Sequence, residues 1–210
     1  MSNRTTPQLN LWRGEFGDQY IGRNAADEAN IKALVRMWTT MLRSLHRHPA
    51  SMLEVGSNIG LNLRALRRIT SAELFAVEPN ATARQIMVEN DVLPASNAVD
   101  AHAAALPFDA STFEFVFTSG VLIHIAPDDL PSSCKEIHRV SSKYVMSCEY
   151  FADRPEEVPY RGRQGQMFRR DYGQFWLDNF PDLALVDYGF FWKGAGCLDN
   201  MTWWLFRKDA

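Results

Sequence analysis

The sequence lacks the features that define several large classes of protein. No stretch approaches the roughly 20 consecutive apolar residues that a membrane span requires, so no membrane partner is expected. The polar run over residues 1–10 has no hydrophobic block and gives no sign of a secretory signal. The three cysteines have no close Cys-x-x-Cys spacing, so neither a disulfide framework nor a zinc site is expected. We therefore expect a cytoplasmic protein with reduced thiols.

An excess of basic residues is also missing. Lysine and arginine number 22 against 25 aspartate and glutamate residues, which gives a net charge of −3. Proteins that bind nucleic acid usually carry a basic surface, so neither DNA nor RNA is expected as a partner. The length of 210 residues suits a single domain, and a hydrophobic fraction of 46% can supply its core.

Short apolar runs alternate with amphipathic segments along the chain, which predicts an α/β domain with a mostly parallel sheet. The predicted strands cover residues 51–55, 74–77, 98–101, 113–118, 144–148, 183–191 and 202–207. The predicted helices cover residues 25–46, 61–69, 81–90, 130–140 and 175–180. Residues 151–170 are rich in charge, proline and glycine, which predicts a loop insertion. Five β/α units followed by a β pair indicate a doubly wound, Rossmann-like sheet.

The strongest local signal is the segment Glu54-Val55-Gly56-Ser57-Asn58-Ile59-Gly60, between the first predicted strand and the next helix. Gly56 permits a sharp turn, and Gly60 lets the helix approach the strand closely. The N-terminus of that helix offers free N–H groups and the positive end of the helix dipole. Glu78 ends the second strand 22 residues after Gly56, where a carboxylate can accept hydrogen bonds from both ribose hydroxyls. The spacing indicates a nucleoside site, although an ordinary strand–helix turn is the alternative.

Two residues of this segment favour a ligand without phosphates. Asn58 stands in the place of the middle glycine, which must lack a side chain where a pyrophosphate rests on the backbone. Glu54 precedes the loop, where its carboxylate repels phosphates but can bind an ammonium group, directly or through water. A nucleoside that carries an amino acid satisfies both conditions, and S-adenosylmethionine (SAM) is such a molecule.

Further segments extend this pattern over nearly the whole chain. They cover residues 12–20, 106–108, 118–125, 149–151, 158–162, 186–190 and 200–204. Together with the glycine loop and Glu78, they resemble the class I SAM-dependent methyltransferases, and most closely the methylases associated with pseudaminic acid biosynthesis operons. Two departures are visible: His102-Ala103 stands where many class I members carry Asp-Ala, and residues 193–199 differ from the Pro-Gln-Asp pattern of those methylases.

The resemblance implies a seven-stranded class I methyltransferase fold with SAM as its cofactor. Residues 1–48 would form an N-terminal helical lid, and residues 49–210 the SAM-binding domain with the insertion at about 151–170. The residues expected to bind the cofactor are Trp12, Tyr20, Glu54, Gly56, Asn58, Gly60, Glu78, Pro79, His102, Ala103, Ser119 and Gly120. Aromatic side chains in the lid can attract a sulfonium through cation–π contact and exclude water.

The acceptor half of the site is expected at the ends of the fourth and fifth strands. The candidates for orienting or deprotonating an acceptor are Tyr150, Glu149, His124 and Tyr160. A histidine that anchors the next turn, and an edge pair with ordinary hydrogen bonds, are the structural alternatives. Substrate contacts are predicted for Arg161, Arg169, Asn200 and Trp203. Arginine forks recognise carboxylates, but a solvated basic surface explains the arginines equally well. No metal-ligand pattern is present.

The leading prediction is methyl transfer to a small polar metabolite in specialised or sugar metabolism, because few residues remain for a domain that binds a macromolecular acceptor. One rival is cyclisation of SAM itself, in which its amino nitrogen attacks Cγ to give azetidine-2-carboxylate and methylthioadenosine. Azetidine-2-carboxylate synthases are methyltransferase-like proteins that the chain also resembles. A SAM-binding module without catalysis is a further alternative, and a homodimer is left open.

Overall fold

From residue 51 onward the chain alternates between strands and helices, in a computed structural model that describes residues 6–209. The helices are α1 (Pro7–Arg13), α2 (Glu15–Ile21), α3 (Glu28–Leu42), α4 (Leu61–Leu66), α5 (Ala81–Glu89), α6 (Leu130–Val140) and α7 (Tyr172–Asn179). The strands are β1 (Ser51–Val55), β2 (Glu73–Val77), β3 (Ala98–Val99), β4 (Phe113–Ser119), β5 (Ser141–Glu149), β6 (Glu156–Glu157), β7 (Phe168–Arg169), β8 (Leu183–Phe191) and β9 (Met201–Lys208).

Seven of these strands form one sheet in the order β3-β2-β1-β4-β5-β9-β8. The first five strands of that order are parallel neighbours, whereas β9 runs antiparallel to both β5 and β8. The strand order reverses next to β1, which makes the sheet doubly wound. The predicted seven-stranded, Rossmann-like fold is confirmed.

Helices cover both faces of the sheet, and each face has its own hydrophobic core. On one face Trp38 of α3 is fully buried and its ring centroid lies 4.6 Å from that of Phe117. On the other face Trp176 of α7 is fully buried near Phe206 of β9. Burying a large apolar side chain stabilises the fold by about 1.5–3 kcal/mol, so these aromatic residues fix the helices on the sheet. Strands covered on both faces account for the continuous apolar runs in the sequence.

The parallel strands bring four loops to one edge of the sheet. β1, β2, β4 and β5 end at Val55, Val77, Ser119 and Glu149, and all four carboxyl ends point the same way. Ligands of open α/β sheets bind outside these ends, next to the reversal in strand order. The topology therefore places Glu54, Glu78 and Ser119 around a common crevice.

The insertion and the N-terminal segment are more ordered than the sequence pattern indicates. The predicted loop at 151–170 contains the short antiparallel pair β6 and β7. The sequence gives no strand signal there, because β6 consists of the two charged residues Glu156 and Glu157. α1 begins at Pro7, and the Thr6 side chain accepts a hydrogen bond from the Leu9 N–H at 3.1 Å. The division into a lid at 1–48 and a body at 49–210 stays a prediction, and residues 1–5 and 210 lie outside the described residues.

A substitution in α7 tests the packing of this helix against the sheet. A Cβ atom built on Gly173 would lie 2.2 Å from Nε1 of Trp204, so Gly173→Ala forces the helix or the indole to move. We expect a loss of about 1–3 kcal/mol in the free energy of unfolding, measured by urea denaturation. The neighbouring exposed variant Gln174→Ala should stay within about 0.5 kcal/mol of the parent chain. Equal stability of the two variants would contradict this packing.

Candidate cofactor and acceptor site

A cavity of about 720 Å³ lies over the carboxyl ends of β1, β2 and β4. Glu54, Gly56 and Glu78 belong to its floor, and Trp12 and Tyr20 of the first two helices cover it. The predicted cofactor residues that line it are Trp12, Tyr20, Glu54, Gly56, Asn58, Glu78, Pro79, His102, Ala103 and Ser119. The structure thus brings together residues that are more than 100 positions apart in the sequence.

Glu78 is held by the two loops that flank it. Its Oε2 accepts a hydrogen bond from the Asn58 N–H at 2.7 Å, and its Oε1 accepts one from the Asn80 N–H at 2.8 Å. Burial raises the pKa of the Glu78 carboxyl, while these two N–H donors act in the opposite direction. Each oxygen keeps a second lone pair, so the carboxylate can still accept hydrogen bonds from a pair of hydroxyl groups.

The backbone of the glycine loop is in the left-handed region at two residues of the cavity lining. Gly56 has φ +78°, and a Cβ atom there would stand 2.7 Å from Cγ2 of Val121, so the position requires glycine. Asn58 has φ +48°, a conformation that asparagine tolerates better than most residues. Its Oδ1 accepts a hydrogen bond from the Ile59 N–H at 2.8 Å, which closes the turn at the start of α4. Asn58 therefore adopts the left-handed backbone conformation that a glycine at this position of the loop could adopt, and in addition it places a side chain there.

Glu54 carries an unused acceptor beside the cavity. Its side chain is buried, and its Oε1 accepts a hydrogen bond from Nδ2 of Asn62 at 2.7 Å. The Trp38 indole donates to Oδ1 of Asn62 at 3.0 Å and fixes the orientation of that amide. Oε2 of Glu54 has no partner, and burial raises the pKa of the carboxyl to about 8. A buried acceptor without a partner destabilises the fold, and an ammonium group supplies both a donor and the opposite charge. The site therefore fits the amino-acid end of SAM.

The cavity is also lined from the loops that follow β2 and β3. Ala103, Ala105 and Pro79 line it together with His102, which is about half-buried. Burial lowers the pKa of His102, and the nearby Arg13 guanidinium adds to the effect. A neutral imidazole offers one donor and one acceptor, so His102 can meet the polar edge of a purine. Small side chains around it leave room for a flat ring.

Hydrogen bonds from two asparagines tie the N-terminal helices to the body. Nδ2 of Asn80 donates to the Trp12 carbonyl at 3.2 Å and to Asp18 at 2.9 Å. Nδ2 of Asn24 donates to Oδ1 of Asn58 at 3.3 Å, which joins the segment after α2 to the glycine loop. Neither residue is among the predicted site residues, because the sequence pattern marks Asn80 only as an N-cap for α5 and gives no signal at Asn24. These contacts hold Trp12 of α1 and Tyr20 of α2 at the cavity.

His124 lines the cavity with a fixed tautomer. Its ring lies between those of Trp12 and Tyr160, with centroids 4.8 Å away on each side. Nδ1 is 2.7 Å from the Gln166 carbonyl oxygen, which can only accept, so Nδ1 carries the proton. Burial lowers the pKa of His124 to about 4. At neutral pH the ring is therefore uncharged, and Nε2 offers a free lone pair.

Glu149 lies behind this turn and does not line the cavity. Its carboxylate is fully buried and lies 3.3 Å from the Val121 N–H nitrogen and 3.4 Å from that of Ile123. Burial raises the pKa of Glu149 to about 7. Glu149 thus holds the backbone of the turn that carries His124 and lies outside the cavity lining, so its predicted contact with an acceptor gains no support from its position.

The two tyrosines predicted to act on the acceptor lie at the aromatic side of the lid. The Tyr150 hydroxyl donates to Oδ2 of Asp199 at 2.5 Å. Burial raises the pKa of that hydroxyl above its usual range, and the hydrogen bond to Asp199 adds to the effect. Tyr160 packs edge-on against Phe16, with ring centroids 6.2 Å apart. Burial also raises the pKa of Tyr20 to about 12. The phenols that show a shift therefore stay protonated near neutral pH.

Several predicted residues lie outside the cavity lining. Trp203 is a core residue, 1% exposed and stacked on Phe191, because β9 is an inner strand whose side chains are covered. Arg169 forms an ion pair with Glu156 at 2.8 Å, next to a separate smaller cavity. Asn200 accepts a hydrogen bond from the Lys193 N–H at 2.8 Å. The predictions that these three side chains contact substrate gain no support from their positions.

The remaining predicted positions have structural roles or lie at the surface. Gly60 has φ +73° and begins α4, where a Cβ atom would meet Sδ of Met87 at 3.0 Å. Gly120 has φ +67° at the end of β4. Arg161 is exposed in the insertion. Within residues 6–209 no three His, Cys, Asp or Glu side chains are grouped to hold a metal ion. In the same part of the chain no helix has the length and apolar character for a membrane crossing.

An NMR titration of His124 tests the geometry around its ring. We expect its C2 proton to titrate with a midpoint near pH 4, because burial disfavours the charged imidazolium more than the hydrogen bond to the Gln166 carbonyl favours it. Since an unfolded histidine titrates near pH 6.5, acid between these two values should favour the unfolded chain. The His124→Asn variant identifies the resonance among those of the five histidines. A midpoint near 6.5 would show that the ring is solvated.

One family of known proteins matches the middle of the chain. Residues 53–143 match the family model described as a methyltransferase domain. This segment contains the glycine loop, Glu78 and His124, which are the residues around which the cavity is built. The match implies SAM as the cofactor. A comparison with curated proteins gives no match.

Solved structures extend the likeness to the whole chain. A SAM-dependent methyltransferase from Leishmania major is 16% identical, with a TM-score of 0.71 over 96% of this chain and 87% of that one. The 1,6-didemethyltoxoflavin-N1-methyltransferase from Burkholderia thailandensis is also 16% identical, with a TM-score of 0.70 over 100% and 93% of the two chains. Magnesium protoporphyrin IX methyltransferase from Synechocystis is 9% identical, with a TM-score of 0.68 over 99% and 100%.

Identities this low establish only the architecture. The protein therefore has the Rossmann-like fold of the class I methyltransferases, with a methyltransferase domain match over residues 53–143.

Proposed function

We propose that the cavity binds SAM and that the protein transfers its methyl group to a small polar metabolite. The observation that carries this proposal is the pair of buried carboxylates on the cavity floor. The unpartnered Oε2 of Glu54 suits the ammonium group, and Glu78, fixed by two backbone N–H groups, suits the ribose hydroxyls. His102 and Ala103 would border the adenine. This arrangement matches a nucleoside joined to an amino acid.

When bound, SAM supplies a methyl carbon that a positive sulfur makes electrophilic. The chain contributes mainly alignment, because a methyl transfer requires the nucleophile to stand about 3–3.5 Å from that carbon in line with the sulfur. Trp12 and Tyr20 cover the site, and their rings pack edge to face with centroids 5.2 Å apart. Aromatic faces attract a sulfonium by about 0.5–2 kcal/mol and keep water away from it.

His124 is the side chain best placed to receive a proton from the acceptor. Its Nε2 carries the free lone pair, and the Gln166 carbonyl holds the ring in this tautomer. A low pKa makes it a weak base, but a hydroxyl becomes strongly acidic as its oxygen bonds to the methyl carbon. A weak base in the right position therefore suffices. Glu149 acts through the turn and is a positioning residue.

Methyl transfer agrees better with Glu54 than cyclisation of SAM does. Cyclisation requires the amino nitrogen of SAM to be neutral, because its lone pair attacks Cγ. A buried carboxylate next to that nitrogen stabilises the charged ammonium form and raises its pKa. The position of Glu54 thus opposes the cyclisation step and leaves the methyl group as the reactive part.

We further propose the chemical class of the acceptor. The resemblance to methylases of pseudaminic acid operons supports a small polar metabolite of specialised or sugar metabolism, used in the cytoplasm. Trp12, Tyr20 and His124 line the cavity, and the rings of Phe16 and Tyr160 pack against Trp12 and His124 next to it. They suit a ring or chain with both an apolar face and hydroxyl groups.

Loss of the Glu78 carboxylate should weaken SAM binding. We expect Glu78→Ala to reduce the affinity by about 1–3 kcal/mol, because hydrogen bonds to a charged group are lost. Isothermal titration calorimetry measures the change. Glu89→Ala, an exposed carboxylate on α5, is the matched control and should leave the affinity unaltered. The same affinity for both variants would remove Glu78 from the ribose site.

Product analysis separates the candidate reactions. Purified protein given SAM alone should release neither S-adenosylhomocysteine nor methylthioadenosine above the no-enzyme blank. Addition of a pool of small polar metabolites should produce S-adenosylhomocysteine, detected by liquid chromatography and mass spectrometry. Methylthioadenosine formed from SAM alone would favour cyclisation. Tight SAM binding without either product would favour a binding module.

A further inference from the structure

Three arginines surround the aromatic side of the lid. Cζ of Arg23 lies 5.9 Å from the ring centroids of both Phe16 and Tyr20. Cζ of Arg163 lies 5.7 Å from Phe16, and Cζ of Arg161 lies 5.5 Å from Tyr160. We call Arg23, Arg161 and Arg163 the arginine rim. Two separate parts of the chain, the segment after α2 and the insertion, thus bring positive charge to one place.

The rim has no acidic partner in the part of the chain that the structure describes. None of its three guanidinium groups takes part in an ion pair within residues 6–209. Nearby carboxylates are engaged elsewhere: Asp18 accepts from Asn80, and Glu15 accepts from Gln19. Three unpaired positive charges in a chain of net charge −3 create a local attraction for anions.

A tight turn holds two of the rim residues. The Tyr160 N–H donates to the Arg163 carbonyl at 2.8 Å, and the Arg163 N–H donates back to the Tyr160 carbonyl at 3.0 Å. Arg161 and Gly162 between them have φ +53° and +76°, so Arg161 occupies a backbone conformation that glycine or asparagine adopts more readily. Gln8 of α1 donates to the Gly165 carbonyl at 3.0 Å and joins this hairpin to the lid. The turn keeps Arg161 and Arg163 in place although both are exposed.

The rim lies one aromatic layer away from the proposed reaction centre. Tyr160 contacts the His124 ring on one side and the Arg161 guanidinium on the other. Tyr20 lines the cavity and also lies near Arg23. A guanidinium that stacks on an aromatic ring leaves its N–H edge free to bind a carboxylate or phosphate with two parallel hydrogen bonds.

We propose that the arginine rim binds an anionic group of the acceptor, a carboxylate or a phosphate, while the acceptor's nucleophile faces His124. This inference rests on the proposed function, because it assigns the substrate class of the same site. The Tyr160 ring centroid lies 4.8 Å from that of His124 and 5.5 Å from Cζ of Arg161, a separation that one small molecule with a negative group at one end and a hydroxyl or amine at the other can span.

Calorimetric titration with three probes of similar shape tests the rim. Benzoate and phenyl phosphate carry the two anionic groups, and benzamide is the neutral control. In the presence of S-adenosylhomocysteine, we expect at least one anion to bind tenfold or more tightly than benzamide. The tighter of the two anions identifies whether the rim prefers carboxylate or phosphate.

The double variant Arg23→Gln/Arg163→Gln should weaken binding of that anion at least tenfold and leave benzamide and S-adenosylhomocysteine unchanged. Arg154→Gln, an exposed arginine of the insertion outside the rim, is the matched control and should behave like the parent chain. The inference is overturned if neither anion binds better than benzamide, or if the double variant keeps the anion affinity. S-adenosylhomocysteine is also titrated alone into the parent chain and each variant, so that failure of the nucleoside site is seen separately.

Discussion

The site depends on one interaction, in which the Glu78 carboxylate accepts hydrogen bonds from the backbone of the two loops beside it. The Asn58 N–H belongs to the loop after β1, and the Asn80 N–H belongs to the turn before α5. A single side chain thus sets the spacing between the first two crossovers of the sheet. Because Asn58 also receives the Asn24 side chain and Asn80 also holds the Trp12 carbonyl, the lid is attached at the same points. The two residues that donate to Glu78 therefore also anchor the N-terminal helices.

Burial shifts the pKa values of three titratable groups at or near the cavity, upward for the two carboxyl groups and downward for the histidine. It raises the pKa of Glu54 to about 8 and that of Glu149 to about 7, and it lowers the pKa of His124 to about 4. All three shifts favour the neutral form, as expected for groups removed from water. A cationic ligand next to Glu54 would restore the charge of that carboxylate. At His124, burial keeps the imidazole neutral and able to accept a proton.

The sequence allowed prediction of the features that depend on local pattern. The doubly wound α/β fold follows from alternating apolar and amphipathic segments, and the glycine loop with Glu78 has the spacing of a nucleoside site. Whether a given side chain is buried or lines the cavity was harder to predict. Trp203 and Glu149, for example, are buried because strands far away in the sequence pack beside theirs. Asn80 and Asn24 hold the lid through contacts across more than 30 positions, which no local pattern reveals. The unpaired state of the arginine rim likewise depends on which carboxylates the fold engages elsewhere.

A crystal structure of the protein with S-adenosylhomocysteine would show whether the cavity is a nucleoside site. We expect both ribose hydroxyls on the Glu78 carboxylate, the amino group next to Oε2 of Glu54, and the adenine beside His102 and Ala103. An adenosyl group bound elsewhere, or a nicotinamide dinucleotide that occupies this crevice in its place, would contradict this expectation.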